Sequence, residues 1–290
     1  MDFVPQLIVS GIAAGSLYAL VAMGLVLIYK STEIVNFAQG ESVTIGAYLG
    51  WLFVTEFHIP YFPAIGAVIV SAALIGMFVE RVAYRPLIKS PPFTIILATL
   101  AVSLIIRNVI RLIWHDTPLT LSGAISAQPI EIGNVFITPE RLVIMLTVAI
   151  IVVAMALFFR FTKLGKAMRA TAQSQDAAAL MGISVSSIFS KSWAMGSALG
   201  AVAGVLIAPL VGINTGLGEV LIQGFVAAVV GGFTSLPGAI VGGILVGVLE
   251  NFAGVFISSS SKQVISFLVL IIVLMIKPSG LFGKPIRKMV

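Results

Sequence analysis

The residues of this 290-residue chain that could take part in chemistry are few, and most are charged side chains set within apolar runs: Glu41, Arg107, Arg111 and Glu250. Motifs for catalysis are missing. The chain has two widely separated histidines and no cysteine, and it contains no HExxH, Gly-x-Ser-x-Gly or Walker lysine sequence. The sequence therefore predicts no catalytic site, no metal site and no ATPase activity on this chain.

Composition places these charges in a membrane. Hydrophobic residues make up 59% of the chain and charged residues 10%, with a mean hydropathy of +1.13. Soluble domains have about 45–50% apolar and about 25% charged residues, so the excess must face lipid. The first apolar run, Val4 to Tyr29, is longer than a signal-peptide core and follows no basic residue, which predicts a retained first span.

The apolar runs predict the spans, because crossing a hydrocarbon core of about 30 Å takes about 20 helical residues. A break at 231–238 divides the stretch from Glu219 to Phe256 into either two short helices or a re-entrant pair. We predict an all-α polytopic membrane protein, residues 1–290 forming a single transmembrane domain, with eight or nine transmembrane helices and discontinuous or re-entrant segments. The other runs are Val4–Tyr29, Gly40–Phe57, Phe62–Val79, Phe93–Trp114, Leu142–Phe159, Phe189–Val211 and Val264–Ile276.

Basic residues predict the orientation of these spans. With the predicted spans, 13 of the 17 basic residues fall on one side, which the positive-inside rule makes cytoplasmic. The N-terminus is then outside and the C-terminus in the cytoplasm. The net charge of +6 thus reflects topology, and no nucleic-acid partner is expected. The 13 residues are Lys30, Arg81, Arg85, Lys89, Arg160, Lys163, Lys166, Arg169, Lys191, Lys277, Lys284, Arg287 and Lys288.

Two polar breaks interrupt the apolar runs, at 36–41 and at 231–238. Irregular backbone at membrane depth is tolerated where protein or a water-filled cavity satisfies it, and discontinuous helices build substrate sites in transporters. The second break could equally be a surface turn. Candidates for lining a translocation pathway are therefore Asn36, Gln39, Glu41, Ser235, Pro237, Glu250, Arg107 and Arg111.

Charges at bilayer depth need a reason, since each costs about 2.5–3.5 kcal/mol. Arg107 and Arg111 are four residues apart, on one helix face near the outer interface. We expect them to snorkel to that interface, the alternative being that they line the pathway. Glu250 lies deeper. We expect it either to be partnered within the bundle, for example by one of these arginines, or to face the pathway.

A short helix is predicted between Ser174 and Ile183, on the basic side of the membrane. Ser174 can cap its first amides, three alanines favour helix, and Gly182 can end it in the left-handed conformation. Its apolar residues are available to a partner, although a helix lying on the membrane surface is the alternative.

Asp176-Ala177-Ala178, followed after three residues by Gly182, is similar to the cytoplasmic EAA signature of bacterial ABC importer permeases, although the Ile-x-Leu-Pro that often completes the signature is missing. With four further motifs, the chain resembles the branched-chain amino acid ABC transporter permeases of LivH type. These motifs are Asn36–Glu41 with Gly46-Ala47-Tyr48, Glu80–Leu87, Leu164–Ala172 and Gly231–Ala239.

The resemblance implies partners in a bacterial inner membrane. They are a second related permease subunit, expected to form a heterodimer, two ATP-binding subunits that carry ATP and magnesium, and a periplasmic or lipid-anchored substrate-binding protein. This chain would carry no cofactor. The residues implied to couple it to the ATPases are Asp176, Ala177, Ala178, Leu180, Met181 and Gly182.

The expected function is import of leucine, isoleucine or valine as half of an alternating pathway. A urea or short-amide importer of the same build is the nearest alternative. A rival from another class is a secondary carrier driven by ion gradients through Glu250 and Glu41, which would have no need of the 176–183 signature.

Overall fold

The computed structural model describes residues 4–88, 90–115, 117–121, 128–132, 135–258 and 261–283. The basic residues Lys89, Lys284, Arg287 and Lys288 lie outside these ranges. The described residues form eleven α-helices and one β-hairpin. The helices are α1 Val4–Thr32, α2 Gln39–Trp51, α3 Tyr61–Val79, α4 Pro92–Trp114, α5 Pro139–Phe161, α6 Lys163–Thr171, α7 Gln175–Leu180, α8 Val185–Val211, α9 Val220–Gly231, α10 Leu236–Phe256 and α11 Ser261–Ile276, and the strands are β1 Ile130–Ile132 and β2 Val135–Ile137.

Six helices are long and apolar enough to cross a membrane: α1, α3 with its extension to Leu87, α4, α5, α8 and α10. Two shorter apolar helices, Leu217–Gly231 and α11, accompany them, and α2 continues as a π-helical turn to Glu56. The prediction of an all-α polytopic membrane protein is confirmed. The stretch from Glu219 to Phe256 is neither of the two predicted arrangements, since the 12-residue α9 is short but the 21-residue α10 is a full span.

Small residues bring the central helices into contact. A Cβ at Gly15 would collide with the backbone of Gly243 and Ile244, so α1 and α10 touch along their backbones. In the same way Gly46 of α2 lies against the backbone of Ala201 in α8. Close approach at such positions is how helices associate in lipid, where apolar burial gives no advantage over contact with acyl chains.

Helix α2 begins deep inside the bundle. The side-chain amide of Gln39 donates to the carbonyl of Gly196 at 2.8 Å, and Gly196 lies eleven residues beyond Val185, about 16 Å along α8 at 1.5 Å per residue. Residues 33–38 are not helical and carry the chain from the end of α1 to this depth. The predicted break at 36–41 is therefore within the bundle.

The start of α9 lies at the same depth. A Cβ at Gly218, just before α9, would be 3.2 Å from both the Gly40 carbonyl and the Thr44 hydroxyl of α2. Residues 212–216 must then return from the end of α8 into the bundle, so a second internal break occurs at 212–219, where none was predicted. By contrast, the predicted break at 231–238 is the turn between α9 and α10. It packs against the end of α1, where the Phe233 ring lies 5.0 Å from that of Tyr29.

Candidate functional site

Helix α7 is short, capped and partly exposed. The Ser174 hydroxyl accepts a hydrogen bond from the Ala177 amide at 3.2 Å, and Gly182 ends the segment with φ +80°. Ala178 is buried, but Leu180 is 89% exposed and Met181 83% exposed. The predicted cap, helix and left-handed glycine are all present. The large apolar side chains of Leu180 and Met181 project from the surface of this helix.

The position of α7 is fixed by neighbouring elements. Its Gln175 side chain donates to the Ser31 carbonyl at the end of α1, at 3.4 Å. The preceding helix, α6, is capped by the Thr162 hydroxyl, which accepts from the Gly165 amide at 2.9 Å. Asp176 and Ala177 are exposed on the first turn of α7. The surface formed by Asp176, Ala177, Leu180 and Met181 therefore lies at the end of the bundle where α1 ends.

An ion pair between a buried carboxylate and a partly exposed arginine joins this end of the bundle to α8. Arg85 donates to Glu80 at 3.1 Å, and the Ser190 hydroxyl of α8 donates to the other oxygen of the same carboxylate at 2.7 Å. Glu80 is 1% exposed. The neighbouring Tyr84 ring stacks on that of Trp193 in α8, with centroids 4.3 Å apart. Glu80, Tyr84 and Arg85 lie in the Glu80–Leu87 motif, to which the sequence alone assigned no role. A carboxylate and an arginine five residues apart at the end of an apolar run could have indicated this ion pair.

The polar residues of the first break hold the start of α2 in place. Gln39 is fully buried and binds α8 as described above, while its side-chain oxygen accepts from the Asn36 amide at 3.4 Å. The other end of the Asn36 side chain accepts from the Ala38 backbone at 2.9 Å. Buried polar groups require hydrogen-bond partners. In this conformation the side chains of Asn36 and Gln39 find them in each other and in nearby backbone groups.

Glu41, two residues after Gln39, pairs with α4. One of its carboxylate oxygens accepts from Arg107 at 2.9 Å and from Ser103 at 3.0 Å, and the residue is 1% exposed. The expectation that Arg107 snorkels to the interface is wrong, because its guanidinium turns inward to a buried carboxylate. Arg111 lies one turn beyond and is exposed.

Glu250 is partnered within the bundle, but by hydroxyl groups. It is 4% exposed; the Tyr18 hydroxyl of α1 donates to one of its oxygens at 2.7 Å and the Ser266 hydroxyl of α11 to the other. Arg107, one of the suggested partners, is bound to Glu41. The carboxylate thus joins three helices, and the sequence could not show this because Tyr18 and Ser266 are distant along the chain.

Ser235 and Pro237 lie at the start of α10. The Ser235 hydroxyl accepts from the Gly238 amide at 3.1 Å and so caps the helix, and Pro237 is exposed in its first turn. Both face a crevice that also contains Met23 of α1. Within the described ranges, no three His, Cys, Asp or Glu side chains come close enough to hold a metal ion.

Long apolar helices combined with helices that begin inside the bundle define a polytopic helical membrane protein with the discontinuous architecture of transporters. Residues 7–274 match the family model of the branched-chain amino acid transport system permease component. The chain belongs to this family.

Individual relatives can be aligned with almost the whole of this chain. The high-affinity branched-chain amino acid transport system permease protein LivH of Salmonella typhimurium is 32% identical, over 97% of this chain and 96% of its own. The corresponding protein BraD of Pseudomonas aeruginosa is 32% identical with the same coverage. A probable branched-chain amino acid permease of Methanocaldococcus jannaschii is 29% identical over 99% of this chain and 96% of its own.

Among solved structures, PsaBC from Streptococcus pneumoniae in complex with Fab is similar to this chain with a TM-score of 0.51. The match covers 96% of this chain and 93% of that one at 17% identity. At this identity the likeness shows the fold alone.

Proposed function

We propose that this chain is the membrane-spanning subunit of an ATP-binding-cassette importer that moves leucine, isoleucine or valine across a bacterial inner membrane. The observation that carries the proposal is α7. A capped helix with Leu180 and Met181 exposed fits a groove on a soluble partner, and a carrier that works alone has no need of such a helix. The names of the relatives support the choice of substrate.

The partners are two ATP-binding subunits, a second related permease subunit and a periplasmic or lipid-anchored substrate-binding protein. ATP and magnesium belong to the ATP-binding subunits, and this chain is not itself an enzyme. Helices α4 and α5 leave room for a second membrane subunit. Only 17% of the most apolar stretch of α4 and 11% of that of α5 are buried within the chain, so their outer faces are available to another subunit as well as to lipid. The N-terminus lies outside and the C-terminus in the cytoplasm, in keeping with the basic residues at the α7 end.

Coupling would run from α7 into the bundle through α8. The Ile183 amide binds the Ala178 carbonyl at 3.0 Å, and α8 begins two residues later. Near its start, α8 holds Glu80 through Ser190; further along, it holds Gln39 at the start of α2. A displacement of α7 by closing ATPases is thereby transmitted to α3 and to the internal break, where irregular backbone can rearrange.

The pathway candidates divide into two roles in this proposal. Asn36, Gln39, Glu41, Arg107 and Glu250 position the helices around the pathway, because each is bound to other residues of the same chain. Arg111 lies toward the end of α4 and would face a mouth of the pathway, whereas Ser235 and Pro237 line the crevice beside Met23 at the start of α10. A largely apolar pathway suits branched-chain side chains and allows fast release.

Substrate choice is tested in proteoliposomes that contain the chain, its partner permease, both ATPases and the substrate-binding protein. We expect ATP-driven uptake of labelled leucine that excess valine or isoleucine inhibits and excess urea or acetamide does not. Uptake of labelled urea in preference to leucine would contradict the proposed substrate, while leaving the importer architecture in place.

A further inference from the structure

A small cavity lies beside the break at 36–41, where the break meets α2, α3, α4 and α8. The space open to the centre of a water-sized sphere is about 20 Å³. Its apolar walls are formed chiefly by Ile45 of α2, Ile75 of α3 and Trp193 of α8. Ser197 also lines the cavity and directly follows Gly196, whose carbonyl binds the start of α2. The cavity therefore lies at the depth where α2 begins.

Three hydroxyl groups surround this cavity, those of Ser42, Tyr84 and Ser197. Tyr84 is 1% exposed, and both serines are buried. The Tyr84 hydroxyl has no hydrogen-bond partner among the described residues, and neither serine hydroxyl makes a hydrogen bond within them. By contrast, the hydroxyls of Ser190 and Ser192, also in α8, are both bonded. Because buried hydroxyl groups are costly without partners, three of them around one cavity indicate a ligand that binds them.

The size and lining of the cavity restrict the chemistry of this ligand. One water molecule needs about 10–15 Å³ of space measured in this way, and it needs two to four polar partners. The cavity supplies the space, and its three hydroxyls can each donate or accept. Among the described residues that line the cavity none is charged, so an ion would have no counter-charge there. A larger organic molecule does not fit.

We propose that this cavity binds one ordered water molecule, held by the hydroxyls of Ser42, Tyr84 and Ser197. The water joins the Glu80–Leu87 motif, α8 and the first turn of α2. Water-mediated hydrogen bonds hold nearly as well as direct ones, and they can be exchanged when the groups around them move. The site lies between two contacts of the coupling route proposed above, at Glu80 and at Gln39, but its existence does not depend on that route.

Radiolytic hydroxyl-radical footprinting of the full-length chain, purified in detergent, tests the proposal. Short X-ray pulses produce radicals from water, and a radical formed from a bound water oxidises the side chains beside it even when they are buried. Tyr84 is less exposed than Tyr61, whose hydroxyl is bonded to the Val205 carbonyl and which does not line the cavity. Access from bulk solvent therefore predicts slower oxidation of Tyr84, whereas the bound water predicts that Tyr84 is oxidised severalfold faster.

A variant that displaces the water gives the matched comparison. Ala72 is buried and lines the cavity, so Ala72→Val adds two methyl groups beside it and should lower the oxidation rate of Tyr84 severalfold. The control is Ala73→Val, the same change at the neighbouring α3 residue, which does not line the cavity and should leave the rate as in the wild type. An oxidation rate of Tyr84 that is unchanged in Ala72→Val would overturn the proposal.

Tyr84→Phe provides an independent decision if Ala72→Val does not fold. With a bound water, the variant loses a hydrogen bond, and the melting temperature should fall by about 2–4 °C. In a dry cavity, the variant removes a buried hydroxyl that has no partner, and the melting temperature should stay the same or rise. An unchanged or higher melting temperature would therefore overturn the proposal.

Discussion

The guanidinium of Arg107 donates two hydrogen bonds to a single oxygen of the Glu41 carboxylate, at 2.9 and 3.1 Å. Glu41 is 1% exposed, and its second oxygen is buried with no hydrogen-bond partner among the described residues. The pair ties α4 to the first turn of α2, at the depth where α2 begins. The carboxylate of Glu41 is therefore stable in this place only while Arg107 accompanies it.

Removal of Arg107 should destabilise the chain strongly. Arg107→Met leaves a buried carboxylate without its counter-charge, and breaking a buried ion pair from one side costs about 3–5 kcal/mol. The Ser103 hydrogen bond remains, so we expect the lower end of this range. The melting temperature of the detergent-solubilised chain, followed by tryptophan fluorescence, measures the effect.

The double variant Glu41→Gln/Arg107→Met is the matched control. It removes both charges and keeps an amide that Ser103 can still bind, so much of the lost stability should return. A double variant no more stable than Arg107→Met would show that the pair does not act through charge compensation.

Loss of the Tyr18 hydroxyl should weaken the three-helix junction at Glu250. Tyr18→Phe removes a 2.7 Å hydrogen bond to a buried carboxyl group, and leaving a buried polar group without its partner costs about 1–3 kcal/mol. Glu250→Gln keeps an oxygen to accept one of the two hydroxyl groups and should cost less than Glu250→Ala. Equal melting temperatures for the Gln and Ala variants would argue against a junction held by these hydrogen bonds.

Substitution of Gly182 should uncouple ATP hydrolysis from transport. Gly182 has φ +80°, and a β-branched residue there is strained by about 1–2 kcal/mol, so Gly182→Val is expected to unwind the end of α7. No neighbouring atom lies within 4 Å of the added Cβ, so the bundle itself should stay intact. The ratio of leucine transported to ATP hydrolysed should fall severalfold.

Gly182→Asn is the control, because asparagine tolerates the left-handed conformation. It should retain most of the coupling. If coupling is unchanged in Gly182→Val, or is lost equally in both variants, then coupling does not depend on the left-handed backbone conformation of residue 182.

Contact between α2 and α8 should not tolerate a side chain at Gly46. Its Cβ would collide with the backbone of Ala201, which cannot move aside as a side chain can. Gly46→Val should destabilise the chain by about 3 kcal/mol or more, beyond ordinary overpacking. Gly66→Val in α3 is the matched control, since no atom lies within 4 Å of that position. Equal yields of folded protein for both variants would contradict this packing.

The sequence predicted features that depend on local chemistry. Ser174, the alanines and Gly182 predict α7 because capping and the left-handed end require only residues near in sequence. The break at 36–41 is likewise visible, since polar residues interrupt an apolar run. These inferences needed no knowledge of which helices are neighbours.

Features that depend on distant residues could not be predicted in the same way. Glu41 and Arg107 are separated by 66 residues, and Glu250 and Tyr18 by 232, so the sequence showed unpaired charges where the structure has partners. The return of residues 212–219 into the bundle was missed because Gly216, Gly218 and their neighbours are typical of an ordinary surface loop. Helix packing, which brings Gly218 against Gly40, determines its depth.

ATP-dependent leucine uptake by proteoliposomes tests the central claim most directly. The chain is reconstituted with its partner permease, the two ATP-binding subunits and the substrate-binding protein, with ATP supplied on the ATPase side and no ion gradient. We predict uptake that requires hydrolysable ATP and is lost when the ATP-binding subunits are omitted. Leucine uptake by the isolated chain, driven by a proton or sodium gradient in the absence of ATP, would contradict the account.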